Sequence, residues 1–252
     1  MVERPEWADR YVIVIVPGFG SHLADRVRLG TFADLIAYFD QSVPPVRYVD
    51  LQGVEGFESV KGIRHNAPVI ADTLGHLGGQ VLLLSHSKGG LDVLHALISD
   101  TTLCRGIDAW VAVQSPFGGS PVAEKLSGLV NPLREALDDL SPDDRATYLV
   151  NNHSLIQAVT SKISVRTCYS VYEGISSILM IDMLNGLMRR QGLETDGLVP
   201  SLSISLPGAV SVRLKDGNHA DTVFPALMGQ KWRSADRVRG ILAEIDSALT
   251  SR

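Results

Sequence analysis

The chain has 252 residues, 45% of them hydrophobic and 20% charged. That is enough to bury one sizeable core, and too apolar for a disordered segment. A formal net charge of -5 gives no basic field for a phosphate backbone, so no nucleic acid is expected as a partner, and a small neutral or apolar ligand fits better.

Short apolar, β-branched runs alternate with longer amphipathic stretches along the whole chain, as in a mostly parallel sheet with helices on both faces. The first residues, Met1 to Trp7, lack the basic and long apolar regions of a secretory signal. Val12 to Val16 is too short to cross a bilayer, so a cytoplasmic location is expected. In chain order, strands are predicted at Tyr11 to Val16, Val46 to Leu51, Val81 to Ser85, Ala109 to Gln114, Val165 to Val171 and Val210 to Leu214. Helical spacing predicts crossover helices over Thr31 to Phe39, Ile63 to Leu77, Lys88 to Ile98 and Ser234 to Leu249. Residues 1–252 thus read as a single domain, with room for a cap or lid insertion at about 117–162 and a second irregular block at 174–192. The two cysteines, Cys104 and Cys168, have no metal-binding spacing and read as buried thiols.

The segment Val81-Leu-Leu-Leu-Ser-His-Ser-Lys-Gly-Gly-Leu-Asp-Val93 is an apolar strand turning through Ser87 straight into a helix. Such a turn needs small residues on both sides of its central residue, here Ser85 and Gly89, and it leaves the central hydroxyl exposed above the sheet edge. A serine hydroxyl becomes nucleophilic only beside a base, and the base needs a carboxylate to orient it. In a strand-elbow enzyme of this kind the acid and then the histidine follow the serine in the chain. Only His219 among seven histidines lies beyond the last strand in the right place. His86, next to the serine, is expected to point away, and His22, His65, His76, His95 and His153 read as surface or helix residues. The acid candidates are Glu173, Asp182, Glu194, Asp196, Asp216 and Asp221. Asp196 sits in a loop stiffened by Gly197 and Pro200, with Glu173 as its rival. The glycine-rich turn Pro17-Gly-Phe-Gly20 after the first strand can supply one oxyanion N–H from Phe19, and the residue after the serine, Lys88, can supply the other. A dinucleotide fingerprint is disfavoured there because Leu23 stands where its third glycine belongs.

These segments, with Ser115-Pro-Phe-Gly-Gly-Ser-Pro-Val-Ala-Glu124, Thr195-Asp-Gly-Leu-Val-Pro200 and Asn218-His-Ala-Asp221, together resemble the bacterial triacylglycerol lipase and esterase group. The resemblance implies a compact α/β-hydrolase fold in which Ser87 is the nucleophile, Asp196 the orienting acid, His219 the base, and Phe19 and Lys88 the oxyanion donors. It implies ester cleavage; the apolar flanking helices point to an apolar acyl group and leave room for a lipid interface, and no cofactor is expected. Thioesterase, polyester depolymerase and acyltransferase chemistry would use the same triad, and a non-catalytic ligand-binding protein that keeps the fold is the alternative from another class. Where the group usually has His-Gly before the oxyanion residue, this chain has Pro17-Gly18. Lys88 replaces a commonly uncharged or histidine neighbour, which would place a cation near the mouth of the site. Secreted members often hold a structural calcium, for which Asp221 and Asp182 are the candidate ligands. The apolar segments Ile175 to Met188 and Leu126 to Leu137 are candidate walls or covers of an acyl pocket.

Overall fold

A computed structural model describes residues 4–19, 30–77, 79–126, 134–174, 179–224 and 233–251. Among the described residues six strands form one sheet: β1 (Val12–Val16), β2 (Tyr48–Asp50), β3 (Val81–His86), β4 (Ile107–Val113), β5 (Ser164–Tyr169) and β6 (Val210–Arg213). All neighbours are parallel, in the order β2-β1-β3-β4-β5-β6. Every predicted strand is present, each with ends within two residues of its expected limits. The crossovers include α1 (Ala33–Gln41), α2 (Ile63–Leu77) and α3 (Lys88–Ser99), and α9 (Ser234–Thr250) follows β6.

Burial on both faces follows the two-residue period of a strand. Val14, Val16, Val81, Leu83, Trp110 and Ala112 face one core with residues of α2 and α3. Ile13, Ile15, Leu82, Leu84, Val111 and Val113 face the other, against Phe39 of α1 and Ile241 and Ile245 of α9. Cys104 and Cys168 are free and buried, one in each core. All six residues of β3 are buried, which accounts for its unbroken apolar run.

Between β4 and β5 the chain forms α4 (Pro121–Leu126), α5 (Arg134–Asp138), α6 (Pro142–Asn151) and α7 (His153–Thr160). The connection is helical where it is described, and most of Leu126 to Leu137 lies outside the described residues. The second block contains α8 (Leu179–Arg190), and residues 175–178 of the predicted apolar segment lie outside the description. No helix among the described residues is long and apolar enough to cross a membrane.

Strand order reverses between β1 and β3: β2 lies on one side of β1 and every later strand on the other. Crevices at such reversals, at the carboxyl ends of parallel strands, are where ligands bind in open α/β sheets. The pairing of Val16 with Ser85 sets the loop at Pro17 beside the turn at Ser87.

Candidate active site

Ser87 is the hinge between β3 and α3, partly exposed, with φ 52° and ψ -131°. A side chain in such a conformation costs about 1–3 kcal/mol and persists only where the surroundings enforce it. The Ser87 N–H donates to the Val113 carbonyl at 2.9 Å, and the Ser87 carbonyl accepts from the Gly90 N–H at 3.0 Å. Glycine lets the chains close around it. A Cβ on Gly89 would lie 2.5 Å from the carbonyl oxygens of Val16 and Pro17, and one on Gly18 would lie 2.8 Å from the Ser87 Cβ. Ser85, in the other small position, is fully buried and its Oγ accepts from Trp110 Nε1 at 2.9 Å.

Gly18 brings the end of the β1 loop against the serine, and Phe19 follows it in a half-buried turn. Lys88 opens α3, and the first N–H groups of a helix have no partner within it. Gly20 and Leu23 lie outside the described residues.

His219 Nδ1 lies 2.8 Å from Asp196 Oδ2, and both side chains are buried. The bond places the Nδ1 proton toward the carboxylate, leaving Nε2 as the acceptor. The other oxygen, Oδ1, accepts from the Leu198 and Val199 N–H groups at 2.9 and 2.8 Å. The Asp196 main-chain carbonyl accepts from the His219 N–H at 2.9 Å. Asp196 is thus held by its own turn and holds the histidine twice. Glu173 is exposed and faces Arg189 at 3.9 Å, so the rival acid is not brought to His219.

Two expectations are corrected. His86 does not point away: its ring centroid is 4.7 Å from that of His219, with Phe32 and Phe224 edge-on to it. Both its ring nitrogens are buried, and among the described residues neither has a partner at hydrogen-bond geometry. Burial holds its pKa well below 6.5, with the nearby His219 acting in the same direction, while the His219 backbone and the Gln114 amide partly offset this. Lys88 does not present a cation at the mouth. Its ammonium is buried and 2.7 Å from Asp92 Oδ1, because the first residue of α3 turns its side chain along the helix into the core. His65, His76 and His153 are exposed and His95 bonds Tyr148, as helix residues; His22 lies outside the described residues.

Gln114, which sequence reasoning missed as a functional residue, anchors the histidine loop. It is fully buried with φ 51°. Its amide nitrogen donates to Ser170 Oγ at 2.7 Å and to the Asn218 carbonyl at 3.4 Å, while its oxygen accepts from Thr222 Oγ1. Ser170 Oγ donates onward to the Gly217 carbonyl at 2.8 Å. A polar residue directly after the apolar run Ala109 to Val113 was the available signal.

The candidate calcium ligands are otherwise engaged. Asp182 Oδ1 accepts from the Tyr172 hydroxyl at 3.2 Å, and Asp221 Oδ2 accepts from the Asn218 N–H at 2.8 Å. Among the described residues no cluster of three or more histidine, cysteine or acidic side chains could hold a metal ion.

No protein-family model matches the chain, and no curated protein matches it in sequence. Solved structures do resemble it. A metagenomic carboxyl esterase superposes with a TM-score of 0.74 at 20% identity, over 96% of this chain and 76% of that one. The mature lipase BlEst2 of Bacillus licheniformis gives 0.69 at 18% identity, over 99% and 95%. A Staphylococcus hyicus lipase gives 0.58 at 12% identity, over 99% and 98%. The chain has the α/β-hydrolase fold.

Proposed function

We propose that this protein is a serine hydrolase that cleaves carboxylic esters of an apolar acyl group through an acyl-enzyme on Ser87. The observation that carries this reading is the strained Ser87 elbow at the end of β3, in one fold with a His219 imidazole oriented by Asp196 at 2.8 Å. Esterases and lipases among the structural neighbours support it.

In the proposed cycle the Ser87 Oγ attacks the acyl carbonyl and His219 Nε2 takes the hydroxyl proton. Negative charge on the carbonyl oxygen is received by the Phe19 and Lys88 N–H groups, each worth on the order of 3 kcal/mol in such sites. His219 returns the proton to the leaving alcohol. Water then repeats the sequence on the acyl-enzyme and frees Ser87. Asp196 keeps the imidazole in the accepting tautomer and stabilises its charged form. The apolar acyl preference rests on α4 and α8: Val122, Leu184 and Met188 cluster with Leu193 and Leu198 beside the acid loop. Leu179 and Met183 of α8 are exposed, as suits a lipid interface.

A fluorophosphonate probe tests the nucleophile: wild type is modified at Ser87 and Ser87→Ala is not. An unlabelled wild type overturns the reading. A panel of p-nitrophenyl esters of graded length, an acyl-CoA and a polyester then fixes the chemistry. Turnover of the oxygen esters is expected; silence on all of them, with turnover of acyl-CoA alone, replaces ester with thioester.

A further inference from the structure

The cycle above uses only the backbone N–H of Lys88, which leaves a fully buried ammonium unaccounted for. Lys88 and Asp92 are each 1% exposed. Asp92 Oδ2 accepts from Asn66 Nδ2 of α2 at 3.1 Å. Asn66 is fixed in turn by the Glu58 backbone, which donates its N–H to Oδ1 at 3.2 Å and accepts from Nδ2 at 3.0 Å. A continuous polar chain therefore runs from the first residue of α3, through its second turn, into the start of α2.

Stability alone is a poor account of this arrangement. Buried ion pairs are commonly no better than well-packed apolar residues of the same volume. The order is also the unfavourable one, with the cation at the helix N-terminus and the anion four residues later. What the chain does hold is Lys88, whose N–H the proposed cycle assigns to the oxyanion. The peptide between Ser87 and Lys88 is set by the strained Ser87 backbone. On its β3 side it is fastened by the Ser87 N–H to Val113; on its α3 side the Lys88 side chain is pinned at its far end by Asp92.

We propose that the buried Lys88–Asp92 pair is a positioning device that, tied to α2 through Asn66, fixes the Ser87–Lys88 peptide so that the Lys88 N–H meets the tetrahedral oxyanion. The inference rests on the hydrolase reading above. The interaction it improves exists only with the tetrahedral species, so it acts on kcat and leaves ground-state binding alone.

The test compares wild type with Lys88→Met/Asp92→Leu, which removes both charges at similar volume, and with Asn66→Ala, which keeps the pair but cuts its tie to α2. Three readouts are needed: kcat and KM on a short p-nitrophenyl ester, the inhibition constant of an alkyl boronic acid that forms a tetrahedral adduct on Ser87, and the urea unfolding midpoint. For the double variant, kcat is expected to fall on the order of 10- to 100-fold and boronate affinity to fall in parallel, with the midpoint and KM little changed. Asn66→Ala is expected to lose kcat by roughly 3- to 10-fold in the same pattern. A folded double variant with kcat and boronate affinity within about twofold of wild type overturns the inference. If that variant does not fold, an unaltered kcat in Asn66→Ala overturns it instead. Fluorophosphonate labelling separates the two failures: a labelled wild type with undiminished variants defeats the positioning role alone, and an unlabelled wild type defeats the hydrolase reading and this one with it.

Discussion

Replacing Asp196 with asparagine separates its charge and tautomer control from its packing. In the native site Oδ1 receives two N–H groups, from Leu198 and Val199, and Oδ2 receives His219 Nδ1. An asparagine can keep its oxygen toward the two N–H donors. Its NH2 then faces Nδ1, which must become the acceptor, and the ring proton moves to Nε2, where it blocks proton abstraction from Ser87. The flipped amide would keep the Nδ1 bond but set its NH2 against two backbone donors in a buried turn, costing about 1–3 kcal/mol for each group left unpaired. The first orientation is therefore favoured, and the base is held in the wrong tautomer. The expected loss in kcat is about 10⁴-fold, or roughly 5.5 kcal/mol of transition-state stabilisation. Steady-state hydrolysis of a short p-nitrophenyl ester measures it, with Glu173→Gln as a control expected to be silent and a thermal melt confirming the fold. A folded Asp196→Asn retaining activity within about tenfold of wild type would refute the assignment of Asp196 as the orienting acid.

Gln114→Ala removes the anchor of the histidine loop; a stability loss of about 1–3 kcal/mol in urea titration is expected, with kcat reduced more than KM is changed. Gly89→Ala drives a methyl group to 2.5 Å from two backbone oxygens of the β1 loop. Since those atoms are not flexible side-chain ends, the variant should lose about 1–3 kcal/mol or more, read as a lowered thermal midpoint. His86 is kept neutral by burial, so its folded-state pKa lies below its ordinary value of 6.5. As pH falls below about 6.5 the unfolded chain takes up a proton that the folded chain refuses, and stability is lost toward the folded-state pKa. Melts from pH 8 to pH 5 should show that decline, shallower in His86→Phe, and equal slopes in the two proteins would count against the neutral assignment.

The parallel sheet was legible because a strand buried on both faces must read as an unbroken apolar run, and β3 does. Ser87 and His219 were legible for a related reason: both follow strand ends, and ends of strands are local features of the sequence. The environments of Lys88 and His86 were not, since they depend on which way a side chain leaves a turn and what arrives from elsewhere. Lys88 and Asp92 stand four apart, so their pairing was open to view, but that Asn66 would close over it from another helix was not. His86 is the last residue of β3, and what its ring meets there, His219, Phe32 and Phe224, arrives from distant parts of the chain. Gln114 carried a weaker sign, a lone amide directly after an apolar run, whose meaning appears only once the loop of His219 is folded onto it.

An all-parallel sheet also dictates when the candidate site can form during biosynthesis. No two neighbouring strands are joined by a hairpin, so each pairing waits for an intervening crossover, and sheets of this kind form late and cooperatively. Ser87 leaves the ribosome well before Asp196 and His219, which flank β6, an exposed edge strand. A nascent chain that has exposed Ser87 therefore still lacks the Asp196–His219 pair, and the candidate site is complete only once β6 has docked on β5.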